Sequence, residues 1–71
     1  MRRAMLEALE KKYEAMIAEA DATINVYLSN SVGIGEHPQF IEEIDKQVQK
    51  IADAQEKLQV LKSFEPERSV L

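Results

Sequence analysis

Cysteine and tryptophan are absent from the 71 residues, and glycine and proline occur only twice each. Without cysteine there is no disulfide, no thiolate zinc site and no thiol nucleophile, which fits an intracellular setting. A single core at this length gives little surplus over chain entropy, and no staple is present to reinforce it. Self-association is therefore expected. Long apolar runs are missing too. The longest, Ala15-Met16-Ile17-Ala18, falls far short of the roughly 18–20 residues that span a bilayer, and Met1-Arg2-Arg3 leads into mixed charges rather than an apolar signal core. No membrane partner is expected. Nor is there an excess of positive charge: 13 acids against 9 bases give a net charge of −4 and a pI near 4.9. That balance lacks the basic footprint of a nucleic-acid binder, and the acids are too interspersed with lysine to mimic DNA.

What the chain does contain is helical patterning. Between Arg3 and Ser31 the bulky apolar residues fall at Met5, Leu6, Leu9, Tyr13, Met16, Ile17, Ile24, Tyr27 and Leu28, with Ala20 in the gap. Steps of three and four mark one stripe of a long amphipathic helix. The segment has no Gly or Pro and is rich in Ala, Glu, Lys, Leu and Met, so intrinsic propensity agrees with the pattern. Glu7 and Lys11 form a favourable i,i+4 pair, whereas Glu10 and Glu14 repel at the same spacing. A second stripe runs through Phe40, Ile41, Ile44, Val48, Ile51, Leu58 and Leu61, interrupted at Ala54 and Gln55. Pro38 suits the first turn of this second helix, Glu42, Glu43 and Asp45 face the positive end of its dipole, and Pro66 prevents continuation. Arg2 and Arg3 lie at the start of the first helix, where positive charge is unfavourable.

Both glycines fall in the connection Val32-Gly33-Ile34-Gly35-Glu36-His37. Gly33 can end the first helix in a left-handed cap with Ile34 packing back on Leu28, Asn30 being the competing stop. His37 is then the N-cap of the second helix. A short link between long helices makes them antiparallel neighbours. The expected architecture is all-α: a two-helix hairpin over 1–64, with helix one at about 3–31, a turn at 32–37 and helix two at about 38–63, and a mobile tail over 65–71. Folding about Ile34 sets Ile24 near Ile44, Ala20 near Val48, Met16 near Ile51, and Tyr13 near Gln55 or Leu58. Ala20, Ala52 and Ala54 would permit close approach, and Tyr13 and Gln55 could satisfy each other's polar atoms. Each stripe is wider than a strict coiled-coil seam, so one partner helix cannot cover it. A dimer forming a four-helix bundle is the favoured solution, with another protein as the alternative cover. The expected association face comprises Leu6, Leu9, Tyr13, Met16, Ile17, Ile24, Leu28, Ile44, Val48, Ile51, Leu58 and Leu61.

Signs of chemistry are weak. His37 is the only histidine, with no His-Glu-x-x-His or Glu-x-x-His pair for a metal, so a structural capping role outweighs a chemical one. Gly33-Ile34-Gly35 matches the start of a phosphate-binding turn, but Pro38 occupies the third glycine position and no strand precedes it. Glu42, Glu43, Asp45 and Asp53 scatter beside Lys46, Lys50 and Lys57, as a solvated face does. The terminal Ser69-Val70-Leu71 fits a short carboxylate-peptide pattern that arises readily by chance. No catalytic residue, metal or cofactor is expected, and the chain reads as a non-enzymatic protein. Val32, Gly33, Ile34, Gly35, His37 and Phe40 remain a candidate recognition loop, because a turn needs only some of those apolar groups for closure.

The stretch Val26-Tyr27-Leu28-Ser29-Asn30-Ser31-Val32-Gly33-Ile34-Gly35-Glu36-His37-Pro38, followed by Ile41-Glu42-Glu43-Ile44-Asp45 and Ile51-Ala52-Asp53-Ala54-Gln55-Glu56-Lys57-Leu58, resembles small helical proteins encoded by tailed bacteriophages, particularly those of marine bacteria and cyanobacteria. The resemblance covers about residues 13–62, and its most specific part is the Val-Gly-Ile-Gly-Glu-His-Pro turn. It implies a viral origin, with the protein in the cytoplasm of an infected host cell or in the virion, and it transfers no activity. The two broad apolar stripes, the short chain and the lack of a coherent chemical site lead to two expected roles: assembly through protein–protein association, or early binding to a host protein through the 32–40 loop or an exposed helix face.

Overall fold

A computed structural model of the chain describes residues 1–29 and 39–64. It contains helix α1 (Arg2–Ser29), helix α2 (Gln39–Leu61) and a 3₁₀ turn at Lys62–Phe64, with no strand among the described residues. The two helices pack on each other as an all-α, two-helix hairpin. Its extents are 52 × 18 × 15 Å, and its radius of gyration is 16.3 Å. A compact chain of this length would have a radius of about 11 Å. The expected end of helix one near residue 31, the 32–37 turn with its glycines and His37, and the 65–71 tail all lie outside the described residues.

Partial or full burial centres on an alternation of steps of four and three. On α1 it picks out Leu6, Glu10, Tyr13, Ile17, Ala20, Ile24 and Tyr27; on α2 it picks out Phe40, Ile44, Gln47, Ile51, Ala54, Leu58 and Leu61; Met16, Thr23 and Glu43, along one side, are half-buried too. That is a heptad seam, narrower than the stripes in the sequence. Three features fix its antiparallel register. The rings of Tyr27 and Phe40 meet edge to face at 5.5 Å between centroids and 75° between planes. Lys57 Nζ sits 5.5 Å from the centroid of the Tyr13 ring. At the far end, Arg2 donates through a guanidinium nitrogen to the Phe64 carbonyl. The Arg2 contact gives that residue a role the sequence left without an account: its positive charge meets a carbonyl at the negative end of the α2–3₁₀ segment.

Stepping down the seam from the aromatic pair places Ile24 opposite Ile44, Ala20 opposite Gln47, Ile17 opposite Ile51, Tyr13 opposite Ala54, Glu10 opposite Leu58 and Leu6 opposite Leu61. Several expected pairings shift as a result. Gln47, and not Val48, holds the seam position facing Ala20, because the alternation that also buries Ile44 and Ile51 turns Val48 outward to 50% exposure. Ile41 is likewise out of the seam, at 67%. Among the described residues Tyr13 makes no hydrogen bond to Gln55, which is exposed; the Tyr13 ring faces the Lys57 ammonium instead. Ala52 points away from α1, and the close approach is made at Ala20 and Ala54, which are 1% and 0% exposed.

These two alanines and Leu61 are the only fully buried apolar residues among those described, and no large side chain is completely enclosed. Surface pairs add little: Lys46 binds Glu43 at 3.3 Å, and Lys11 meets Glu14 at 4.0 Å rather than the expected Glu7. Substituting Ala54→Leu inserts three carbons at a position that is 0% exposed in the seam. We expect a loss of about 1–3 kcal/mol from overpacking, read as a lower midpoint in urea unfolding followed by circular dichroism.

Candidate functional site

An antiparallel heptad seam leaves two flanks. With Leu6, Tyr13, Ala20 and Tyr27 as d residues of α1, and Phe40, Gln47, Ala54 and Leu61 as d residues of α2, the g residues of both helices line one flank and the e residues line the other. Arg2 and Phe64 are both g residues, and their contact shows the g rows meeting. On the opposite side Glu10, Glu14, Gln55, Leu58 and Lys62 line a shallow groove of about 350 Å³, which shows the e rows meeting there.

The two flanks differ in charge. Adding the neighbouring c rows, the g flank carries five bases (Arg2, Lys12, Lys46, Lys50 and Lys57) against three acids (Glu19, Glu43 and Asp53), a net of +2. With its b rows, the e flank carries four acids (Glu7, Glu14, Asp21 and Asp45) against two bases (Lys11 and Lys62), a net of −2. Each flank also exposes apolar side chains, the larger groups at opposite ends of the hairpin. The basic flank presents Met5, Leu9, Val60 and Phe64 at the end where Arg2 meets Phe64, and Val26 alone toward the other end. The acidic flank presents Leu28, Ile41 and Val48 near the aromatic pair.

The residues of the expected association face therefore separate into two groups. Leu6, Tyr13, Ile17, Ile24, Ile44, Ile51, Leu58 and Leu61 are used within the hairpin seam, with Met16 half-buried beside them. Leu9, Leu28 and Val48 stand on the flanks. Of the candidate recognition loop, Val32, Gly33, Ile34, Gly35 and His37 lie outside the described residues, and Phe40 turns inward against Tyr27. The structure adds Val60 and Phe64, neither of which belonged to an expected stripe. Their signal was present in the sequence: they are four residues apart, one step off the Ala54, Leu58 and Leu61 row.

Chemistry is sparse by comparison. Among the described residues no three His, Cys, Asp or Glu side chains group to hold a metal ion, and no described helix is long and apolar enough to cross a membrane. Comparison with protein-family models, curated proteins and solved structures finds no match for this chain. The arrangement itself has to carry the functional argument.

The aromatic pair holds one end of the hairpin. Truncating Tyr27→Ala and Phe40→Ala singly and together forms a double-mutant cycle. We expect a coupling energy of about 0.5–1.5 kcal/mol beyond the separate burial losses, measured from urea midpoints at one fixed protein concentration.

Proposed function

We propose that this is a non-enzymatic association module whose hairpins assemble side by side, two of them in a four-helix arrangement being the smallest unit. One observation carries the reading: the apolar surface is far larger than a single hairpin can enclose. The chain exposes 5655 Å², whereas a compact monomer of its mass exposes about 4500 Å². The difference is of the order of the ~800 Å² that each partner contributes to a standard protein–protein interface. Among the described residues nine large hydrophobic side chains stand at 37% exposure or more, and all of them but Met1 lie on the two flanks.

In the setting implied by the resemblance to phage proteins, such a module contributes to assembly, within the virion or on the way to it. A second reading, an early binder of a host protein, works through either the 32–40 loop or an exposed helix face. Of the candidate loop residues the described one, Phe40, packs against Tyr27, which leaves the flanks as the surface both readings share.

The test is solution mass by light scattering over a wide concentration range, with helicity read on the same samples. The expected result is a helical species of at least twice the 8.1 kDa chain mass that dissociates only on strong dilution, with loss of helix content. A fully helical monomer at every concentration removes the proposal. For the assembly role, mass spectrometry of purified particles is expected to recover the chain in fixed stoichiometry.

A further inference from the structure

We infer that the hairpins associate heterologously, the basic flank of one copy receiving the acidic flank of a second copy turned end for end. This rests on the self-association reading and specifies its geometry. The occupant of each flank is the other flank of the same chain.

Two independent observations converge on this arrangement. The first is the position of the exposed apolar residues. Leu9, Val60 and Phe64 lie toward one end of the basic flank, with Val26 alone toward its other end, and Leu28, Ile41 and Val48 lie toward that other end of the acidic flank. An isologous contact uses the same patch on both copies, so it covers one group and leaves the other in water. Two copies related by simple translation would set Leu9, Val60 and Phe64 against a polar surface, and Leu28, Ile41 and Val48 against one that offers Val26 alone. A half-turn about the axis perpendicular to the flanks, followed by stacking, lays the second copy's Leu28, Ile41 and Val48 over the first copy's Leu9, Val60 and Phe64.

The second observation is charge. The flanks carry net charges of +2 and −2 by the residues named above, and their distribution suits the same half-turn. It brings the second copy's Asp21 and Asp45 to the half of the basic flank that holds Lys12 and Lys57. Its Lys62 arrives at the opposite half, beside Glu43. Isologous pairing of the acidic flanks would instead set surfaces of the same net sign against each other. Opposed potentials of this kind select partner and orientation more than they add affinity, and they weaken as salt rises. Every copy keeps one flank open after pairing, so the assembly extends by repeating the step and does not close as a dimer.

Two substitutions in the full chain test the geometry. Val60→Asp disables the apolar group of the basic flank, and Ile41→Asp disables that of the acidic flank. Both sites are at least half exposed, and circular dichroism at equal concentration checks that each variant remains helical. Each variant alone is expected to lose the associated species that the unsubstituted chain forms. An equimolar mixture is expected to regain association and to stop at twice the 8.1 kDa chain mass, because only one intact basic flank and one intact acidic flank are left to meet.

Other results overturn the inference in distinguishable ways. A homodimer from one variant and a monomer from the other, unchanged on mixing, means an isologous contact through the flank left intact. Association retained by both variants means that neither flank is used, and a mixture that stays monomeric means the flanks do not recognise each other. An unsubstituted chain that is monomeric throughout removes the self-association reading itself. A second pair, Lys12→Glu and Asp45→Lys, reads the electrostatic half independently of the apolar one. Each alone is expected to weaken association about two- to five-fold, and the two together in one chain to recover it; no recovery in the double variant counts against the end-for-end orientation.

Discussion

Close approach of the two backbones at Ala20 and Ala54 is the constraint on which the hairpin depends. A methyl group at these positions leaves room for the larger groups opposite, Gln47 and Tyr13, and the remaining seam residues follow at helical spacing. Because the approach is tight, the seam is narrow. A narrow seam encloses a few side chains and turns the rest of each apolar stripe outward. The exposed residues on the flanks are thus a consequence of how the helices touch, not an addition to it.

The same constraint explains the polar residues inside the seam. Glu10 and Gln47 occupy positions that the alternation forces toward the partner helix: a rotation that moved Glu10 out would carry Ile17 and Ile24 of its row with it, and one that moved Gln47 out would carry Phe40, Ala54 and Leu61. Their burial is partial, so water still reaches their polar atoms and the desolvation penalty is limited. Glu10 lines the groove that Lys62 also lines, where a carboxylate has an opposite charge nearby. Polar residues in a seam favour one register over its neighbours, and here the register is also held by the edge-to-face pair at one end and Arg2 at the other.

Stability and function meet at the flanks. Ordering about 50 residues costs on the order of 1–2 kcal/mol each in backbone entropy, and one half-buried seam returns only part of the ~1.5–3 kcal/mol that full burial of a large apolar side chain contributes. A scaffold so lightly enclosed gains most from contacts that cover its flanks, so the proposed association would be coupled to folding: whatever covers the flanks also stabilises the helices. This is why the proposed function and the proposed geometry of self-association rest on the same exposed residues.

Two long helices with a glycine-bearing link between them were legible from the sequence alone. Spacing of apolar residues, the absence of Gly and Pro from 2–29 and the proline at 38 act locally, and local signals are what a sequence displays directly. The approximate register was legible too, since Ile24 opposite Ile44 follows from folding about the link. Rotational phase was not. A stripe three or four residues wide is compatible with several rotations of a helix about its axis. Only packing against the other helix decides that Gln47 faces inward while Val48 faces out, that Lys57 and not Gln55 meets the Tyr13 ring, and that Ala54 rather than Ala52 makes the contact. That choice divides the remaining surface into a basic flank and an acidic one, because the residues on a flank come from two helices far apart in sequence and become neighbours only when the seam has formed.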